Sequence, residues 1–286
     1  MKEPFIKVRD LYHVYLGGIE ALRGVSLDIH EGETVIILGQ NGSGKTTLVK
    51  HFNGLLRPTR GSVTVGGLDT RTTSIAKLSS LVGYVFQNPN HQTFLPSVVE
   101  EIAYGCRNLK LPEEEIRARV KESMELFGLQ PYLNKNPYDL NVGIRKEVAM
   151  ASIVAMRPKV VMLDEPTTGQ DHAGVRRIQE LIALLARRGH SLVIITHDMQ
   201  LVGELNARVV VMAQGEKIAD ATPAGVFGDE AVLKRAALRP PQITLLAQRM
   251  RHLGVTRDVM TVPEMHRTLR RLGSGDRASA VAGGGR

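Results

Sequence analysis

The chain has 286 residues, 43% of them hydrophobic, which is enough to fill one large α/β core and leave a small appendage. Its single cysteine, Cys106, excludes an internal disulfide and a cysteine metal cluster and suits a reducing cytosol. The formal charge of +8 lies mostly beyond residue 238, where nine arginines and three acids occur, so the body of the chain is nearly neutral.

No stretch of the sequence is typical of a membrane span. No apolar run approaches the roughly 18 residues that a spanning helix needs, and residues 1–4 are unlike the start of a signal peptide. If the protein works at a membrane, we expect it to lie on the cytoplasmic face as a peripheral subunit, with other chains crossing the bilayer.

The strongest signal is the glycine-rich loop at residues 39–46. It follows a strand-like run at 33–38, and residues 46–56 continue as a helix. Glycines let main-chain N–H groups close around phosphate oxygens, and the helix presents its positive end to the same anion. We expect Lys45 at the terminal phosphates of a nucleoside triphosphate and the Thr46 hydroxyl on a bridging Mg²⁺ ion. The predicted nucleotide-binding residues are Tyr15, Gly39, Gln40, Asn41, Gly42, Ser43, Gly44, Lys45, Thr46 and Thr47.

Tyr15, which precedes the loop, offers an aromatic face for adenine, although a core tyrosine is nearly as good an interpretation. Beyond the loop, short β-like runs recur with helical segments between several of them. These runs lie at 62–65, 82–86, 160–163, 192–196 and 208–212. Such alternation predicts a mainly parallel sheet with helices on its faces.

Between Pro112 and Pro158 the pattern changes to helix. Apolar residues there recur at spacings of three and four, and they are Ile116, Val120, Met124 and Phe127. This spacing predicts a mostly helical insertion.

Polar side chains follow three of the predicted strands. Asp164 and Glu165 end the run at 160–163, an arrangement that places one acid on the Mg²⁺ shell and the second beside the attacking water. His197 follows the next strand and can reach the γ-phosphate from its carboxyl end. Gln87 follows the strand at 82–86 and is a candidate for the Mg²⁺ or the water, although an isolated glutamine is more often a surface residue. The predicted catalytic residues are Glu165, His197 and Gln87, and the predicted metal ligands are Thr46, Gln87 and Asp164.

Past Pro240 the sequence predicts two amphipathic helices, the second opened by a capping box of Thr261 and Glu264. Residues 273–286 have too few apolar side chains to bury, so we expect a disordered tail. The arginines of this region fit a solvated helix face and a contact with nucleic acid or lipid headgroups about equally.

The ordered set of these motifs resembles the nucleotide-binding domain of ABC ATPases over residues 5–230. The resemblance implies an α/β P-loop NTPase with a RecA-like core, an N-terminal β subdomain and a helical subdomain at about 88–158, all within 5–236. In that family two domains sandwich two ATP molecules, each held by the phosphate loop of one subunit and a signature helix of the other. By that resemblance Asp171 lies at the dimer interface and His197 meets the γ-phosphate.

Two further segments, 86–92 and 239–248, are similar to the A components of energy-coupling factor transporters. These proteins power uptake of vitamins or of cobalt and nickel ions, and the extension at 237–272 resembles their dimerisation domain. The implied partners are a second ABC ATPase subunit, a transmembrane coupling subunit and a substrate-binding membrane subunit, with no specific nucleic acid. His91 departs from the subfamily, since acidic residues are common at that position.

The family signature Leu-Ser-Gly-Gly-Gln is degenerate here. The corresponding stretch after Leu140 reads Asn141, Val142, Gly143 and Ile144. The branched Val142 occupies a place where glycine lets the backbone approach phosphate. Losing one preorganised transition-state donor typically costs on the order of 100- to 1000-fold in rate, so a half-site built on this stretch is expected to be weak or silent. A heterodimer with a subunit that carries a good signature is therefore favoured over a homodimer.

Three functions compete at this level. The leading hypothesis is a motor ATPase of an importer. The second is a regulatory subunit that binds ATP without hydrolysing it, against which the intact Glu165 and His197 argue. The third is an ABC ATPase acting on nucleic acid or ribosomes, which only the arginine-rich extension supports.

Overall fold

The computed structural model describes residues 3–256 and 259–282, the last nine of them as backbone only. Its strands form two sheets. They are β1 (Ile6–Val14), β2 (Glu20–Ile29), β3 (Thr34–Leu38), β4 (Arg60–Val65), β5 (Leu68–Asp69), β6 (Val82–Val85), β7 (Val160–Asp164), β8 (Ser191–Ile195), β9 (Arg208–Ala213) and β10 (Glu216–Ala221).

The larger sheet has six strands in the order β10-β9-β3-β8-β7-β6. Its strands pair in parallel from β9 to β6, and β10 joins β9 antiparallel at the edge. Every residue of β7 and β8 is buried, because helices cover both faces of a parallel sheet. The predicted mainly parallel α/β sheet is thus confirmed.

The smaller sheet is antiparallel, in the order β2-β1-β4-β5. Apolar side chains from both sheets meet in one core that includes Ile6, Val8, Val35 and Ile37, all fully buried. Of this sheet, the sequence pattern alone predicted only β4. The sheet itself corresponds to the N-terminal β subdomain implied by the family resemblance.

The helix after the glycine-rich loop, α1 (Lys45–Lys50), is shorter than the predicted 46–56. The chain tightens at its end, where the His51 and Phe52 amides donate to carbonyls three residues back. It then turns at Gly54, whose φ of +74° favours glycine. The local turn therefore ends α1 at Lys50, although the apolar pattern continues to residue 56.

Helices fill the predicted helical region. They are α4 (Glu113–Phe127) and α5 (Val142–Ala155), and α2 (Ile75–Ser79) and α3 (Val98–Asn108) precede that region. The four apolar residues that predicted α4 are all buried, in a core shared with α3 and α5. The remaining helices of the body are α6 (His172–Arg187), α7 (Met199–Leu205), α8 (Pro223–Gly228) and α9 (Glu230–Ala236).

The C-terminal extension contains α10 (Gln242–Arg249) and α11 (Val262–Ala282). The predicted capping box is present: the Glu264 amide donates to Thr261 Oγ1 at 3.4 Å, and the Thr261 amide to Glu264 Oε2 at 3.0 Å. Met260 joins the core beside β9, so the extension packs on the body. No helix in the described part of the chain is long and apolar enough to span a bilayer.

Helix α11 extends into the segment for which the sequence predicts a disordered tail. Its backbone is helical as far as Ala282. Residues 283–286 of the predicted tail lie outside the described residues.

Candidate functional site

The glycine-rich loop runs from the end of β3 into α1, and its glycines are sterically required. A Cβ on Gly39 would lie 2.2 Å from the Met212 carbonyl oxygen, and one on Gly44 would lie 2.6 Å from that of Ala21. Both glycines have positive φ, as does Gly42 between them. The loop can therefore turn its N–H groups toward one cavity, as phosphate binding needs.

Lys45 lies inside this loop. Its ammonium donates to the carbonyl oxygens of Gly39 and Gln40, each at 2.8 Å. Burial lowers the pKa of Lys45, while Glu165 and Asp164 act in the opposite direction. A triphosphate would offer this ammonium stronger, charged acceptors than the two carbonyls.

Thr46 and Asp164 come together at the end of β7. The Thr46 hydroxyl donates to Asp164 Oδ2 at 3.1 Å, and Tyr84 on β6 donates to the same oxygen at 2.6 Å. Burial, and then the nearby Asp164 charge, raises the pKa of Tyr84, so its hydroxyl stays a donor. Neighbouring oxygen ligands of an octahedral Mg²⁺ lie about 3 Å apart, so the Thr46 and Asp164 oxygens fit such an ion.

Glu165 turns out of β7 in a strained backbone conformation, with a φ of +48°. Its amide donates to the Ile195 carbonyl of β8 at 2.9 Å, which fixes the turn against the sheet. Its carboxylate accepts from His197 Nδ1 at 2.7 Å and lies 3.4 Å from the Thr168 hydroxyl. The predicted base and the predicted γ-phosphate histidine are thus direct neighbours.

Gln87 is exposed just beyond β6, at the rim of the same cavity. The segment that carries it is anchored by Gln92, which accepts from the Phe86 amide at 3.2 Å and donates to the Ala149 carbonyl of α5 at 2.8 Å. The segment that carries Gln87 is therefore hydrogen-bonded to α5 through Gln92.

A cavity of about 620 Å³ collects most of the predicted residues. Its predicted members are Tyr15, Asn41, Gly42, Gly44, Lys45, Thr46, Thr47, Gln87, Asp164, Glu165 and His197. Gly39, Gln40 and Ser43 lie in the loop behind this lining. The cavity is large enough for a nucleotide and combines loop amides, an ammonium and carboxylates.

Tyr15 packs against a pair of histidines that the sequence pattern did not reveal. Its hydroxyl lies 3.0 Å from Thr47 Oγ1, and its ring meets the His13 ring edge-on. His51 Nδ1 donates to the Thr47 carbonyl at 2.7 Å, and its Nε2 lies 3.2 Å from His13 Nδ1. Burial is the main reason that the pKa of His51 falls to about 4. The two histidines link Tyr15 to α1.

The degenerate signature lies away from this chain's own phosphate loop. Asn141 caps α5, and its Oδ1 accepts the Ile144 amide at 2.9 Å, so one N–H of the helix start is already occupied. Val142 is 48% exposed and projects from the first turn. Asn141, Val142, Gly143 and Ile144 line a second cavity together with Asp171, the N-cap of α6.

Three residues of the site escaped sequence reasoning. Tyr84 holds Asp164, Thr168 lies beside Glu165, and Lys146 reaches the same turn from α5. Tyr84 lies opposite Met162 on the neighbouring strand, two residues before Asp164. Once the β6–β7 pairing is known, Tyr84 could have been found, but the sequence does not give that pairing.

Comparison with known proteins agrees with the geometry. A model of the ABC transporter family matches residues 22–168. An energy-coupling factor transporter ATP-binding protein EcfA from Methanothermobacter thermautotrophicus is 41% identical over 274 residues, covering 95% of this chain and 88% of that protein. The solved structure of CbiO1 from Clostridium perfringens, part of the ABC transporter complex CbiONQ, is 36% identical with a TM-score of 0.74, covering 88% of this chain and 99% of that one.

Some relatives are longer. A protein from Caldanaerobacter subterraneus named as an ABC transporter ATP-binding protein is 44% identical over 248 residues, which are 87% of this chain. The chain spans only 44% of the length of that relative.

The fold and the phosphate cavity define an ABC-type P-loop ATPase cassette. The chain belongs to the ABC transporter family as an ATP-binding protein. Within that family it is similar to the A components of energy-coupling factor transporters.

Proposed function

We propose that this chain is the ATP-hydrolysing motor subunit of an energy-coupling factor type importer for a vitamin or a transition-metal ion. It acts as a peripheral subunit on the cytoplasmic face of the membrane, in a heterodimer with a second ABC ATPase. The observation that carries the proposal is the asymmetry of the chain: Lys45, Asp164, Glu165 and His197 meet at one cavity, whereas the signature at Val142 is degenerate.

Each residue of the cavity has a step to perform. The loop amides and Lys45 hold the triphosphate, and Tyr15 stacks on the adenine. Mg²⁺, held by Thr46 and Asp164 with Gln87 at the rim, would neutralise charge on the phosphates. Glu165 accepts a proton from the attacking water.

His197 is 68% exposed at its side chain and donates to Glu165 at 2.7 Å. When a γ-phosphate is bound, His197 can donate to that phosphate instead, which leaves the Glu165 carboxylate available to the water. Asp171 faces the partner cassette at the dimer interface, beside the signature.

Because the signature of this chain is degenerate, only one of the two ATP sites of the heterodimer would hydrolyse ATP. ATP on this chain's loop would meet the signature of the partner and be hydrolysed. ATP on the partner's loop would meet Val142 and the occupied N–H of Ile144, a combination that offers fewer donors to the γ-phosphate. The heterodimer thus has one working and one silent site.

This chain has a groove close to Gln87 that could receive a segment of the membrane subunit. A groove of about 580 Å³ runs between β6 and α3, and Phe86 at its floor immediately precedes Gln87. Phe94 is 58% exposed and Tyr104 41% exposed, and their rings meet edge-on at 5.0 Å. We assign this groove to a short helix of the transmembrane coupling subunit, since a side chain pressed into it would bear on the segment that carries Gln87.

Replacing the base tests the proposal. Glu165→Gln keeps the size of the side chain but removes its ability to take a proton, so turnover should fall to background while ATP binding stays within about 3-fold of wild type. Hydrolysis is measured as phosphate release in the presence of a cassette with an intact signature, and binding by titration with a fluorescent ATP analogue. Glu31→Gln, an exposed acid paired with Lys159, is the control. Undiminished turnover in the Glu165 variant would refute the assigned base.

A regulatory subunit is the second candidate, and the broken signature favours it. Such a chain would bind ATP at the loop but show no turnover even when a cassette with an intact signature is supplied. The intact constellation of Glu165 and His197 speaks against this function.

A further inference from the structure

Lys146 is a buried cation that the mechanism above does not use. It lies on the second turn of α5, the helix that begins with the signature, and only 1% of it is exposed. Its ammonium donates to the Thr168 carbonyl at 2.9 Å and to the Glu165 carbonyl at 3.3 Å. Helix α5 is therefore joined by one side chain to the turn that carries the base.

That turn needs an external support. Glu165 adopts a φ of +48°, which a residue with a Cβ rarely takes. Within the turn the Thr168 amide donates to the Glu165 carbonyl at 3.2 Å. Strand β8 holds Glu165 from one side through its amide, and Lys146 holds the same residue from the other side through its carbonyl.

An ammonium is an expensive group to bury. Burial lowers the pKa of Lys146 to about 8, with the Glu165 charge acting against that shift. An apolar side chain would avoid this desolvation but would leave two carbonyls with one donor fewer. The hydrogen bonds to these two carbonyls therefore explain why a lysine, and not an apolar residue, occupies this buried position.

The neighbouring Arg145 makes a parallel connection. Its guanidinium donates to Asn90 Oδ1 at 2.5 Å, in the segment after Gln87, and to the Pro137 carbonyl at 2.9 Å. Two consecutive residues of α5 therefore reach the two segments that carry Gln87 and Glu165.

We propose that Lys146 is a positioning residue that ties the signature helix to the Glu165 turn, so that the placement of α5 sets the aim of the catalytic base. The inference rests on the proposed ATPase function. Lys146 is not among the residues that line the phosphate cavity, and its effect passes through the carbonyls of Glu165 and Thr168. A shift of the helical subdomain would move the base with it.

The test compares Lys146→Met, Lys146→Arg and the matched control Lys159→Met in the full chain, each assayed together with an ABC cassette that carries an intact signature. Lys159 is an exposed lysine with one acidic partner, Glu31, at 2.8 Å. Misplacing a catalytic group by about 1 Å can cost on the order of 100-fold. We expect Lys146→Met to lower kcat about 10- to 100-fold with the KM for ATP within about 2-fold. Lys146→Arg should recover most of the loss, and the control should match wild type. A kcat unchanged in Lys146→Met would overturn the inference.

Amide hydrogen exchange gives a second readout that does not depend on turnover. The Thr168 amide should exchange faster in Lys146→Met than in wild type, because the turn has lost its support, and equal exchange would overturn the inference. If Met at this position prevents folding, Lys146→Gln repeats both measurements, since its amide is too short to reach both carbonyls. Absence of wild-type turnover above the Glu165→Gln background, even with a cassette that carries an intact signature, would instead count against the proposed function, and the exchange result would still decide the role of Lys146.

Discussion

At the scale of single residues, the hydrogen-bond partners that the fold supplies decide the chemistry of the buried polar groups. Asp164 meets two hydroxyl donors, from Thr46 and Tyr84, whereas Lys146 is surrounded by carbonyl oxygens in the core. His51 is fully buried beside His13, with an acceptor at Nδ1. These neighbours come from distant parts of the chain, so the chemistry of each residue is a property of the fold.

His51 makes the stability of the protein depend on pH. Its pKa falls from 6.5 to about 4 on folding, so the unfolded chain binds more protons between these values. The stabilisation is complete above pH 6.5 and is lost as the pH falls toward 4. From pH 7.5 to 5.0 wild type should lose about 2 kcal/mol more unfolding free energy than His51→Gln.

Urea unfolding at the two pH values measures this difference. Titrating groups that do not contact His51 contribute about equally to both proteins and cancel in the comparison. His252→Gln, a change at an exposed histidine, should keep the wild-type pH dependence. An equal loss in wild type and in His51→Gln would show that His51 is not the group responsible.

At the scale of elements, the first turn of α5 combines a cap and a degenerate signature. Asn141 is a good N-cap, so the helix starts well, but its side chain takes the Ile144 amide for that purpose. Val142 then covers the helix start with a branched side chain. In the proposed heterodimer, the same residues that stabilise the helix locally would reduce its capacity to hold phosphate.

Restoring the signature should therefore create activity in the chain alone. The triple change Asn141→Ser, Val142→Gly and Ile144→Gln returns the hydroxyl, the open backbone and the polar group. Turnover of a homodimer should rise on the order of 100-fold. Phosphate release at protein concentrations that favour dimers is the measurement.

Two controls make this result specific. The same triple variant carrying Glu165→Gln should be inactive, because the base is required. The single change Gly228→Ala, at an α8 position where a Cβ meets nothing within 4 Å, should leave turnover as it is in wild type. If the wild-type chain alone already turns over as fast as the restored variant, the heterodimer argument fails.

At the scale of the whole molecule, α5 lies between the groove and the phosphate cavity. Its face toward α3 shares a core with the groove wall, and its first turns hold the Gln87 segment and the Glu165 turn. A partner seated in the groove and a nucleotide in the cavity would thus act on the same rigid element. This arrangement suits a subunit that converts hydrolysis into movement of a membrane partner.

Charges introduced at the groove should separate transport from ATP binding. Phe94→Asp or Tyr104→Asp should weaken binding to the membrane subunit about 10-fold or more, because buried aromatic residues dominate such interfaces. ATP binding should remain within about 2-fold of wild type. Copurification with the solubilised membrane subunits is the measurement, and Leu16→Ser, a change at a fully exposed side chain, is the control. Undiminished copurification would exclude this groove as the docking site.

The sequence by itself determined the parallel sheet, the phosphate loop and the residues that end β7 and β8. Those features are local: periodic apolar runs define strands, and the glycines of residues 39–46 meet a backbone requirement that no other residue satisfies. The capping box at Thr261 was equally visible, because its hydrogen bonds span three residues.

Only the tertiary structure decided which distant groups meet. The order of β6, β7 and β8 places Tyr84 on Asp164 and His197 on Glu165, and packing of α5 brings Lys146 to the same turn. Strand order and helix packing depend on contacts between residues far apart in the chain, and no short sequence pattern encodes those contacts.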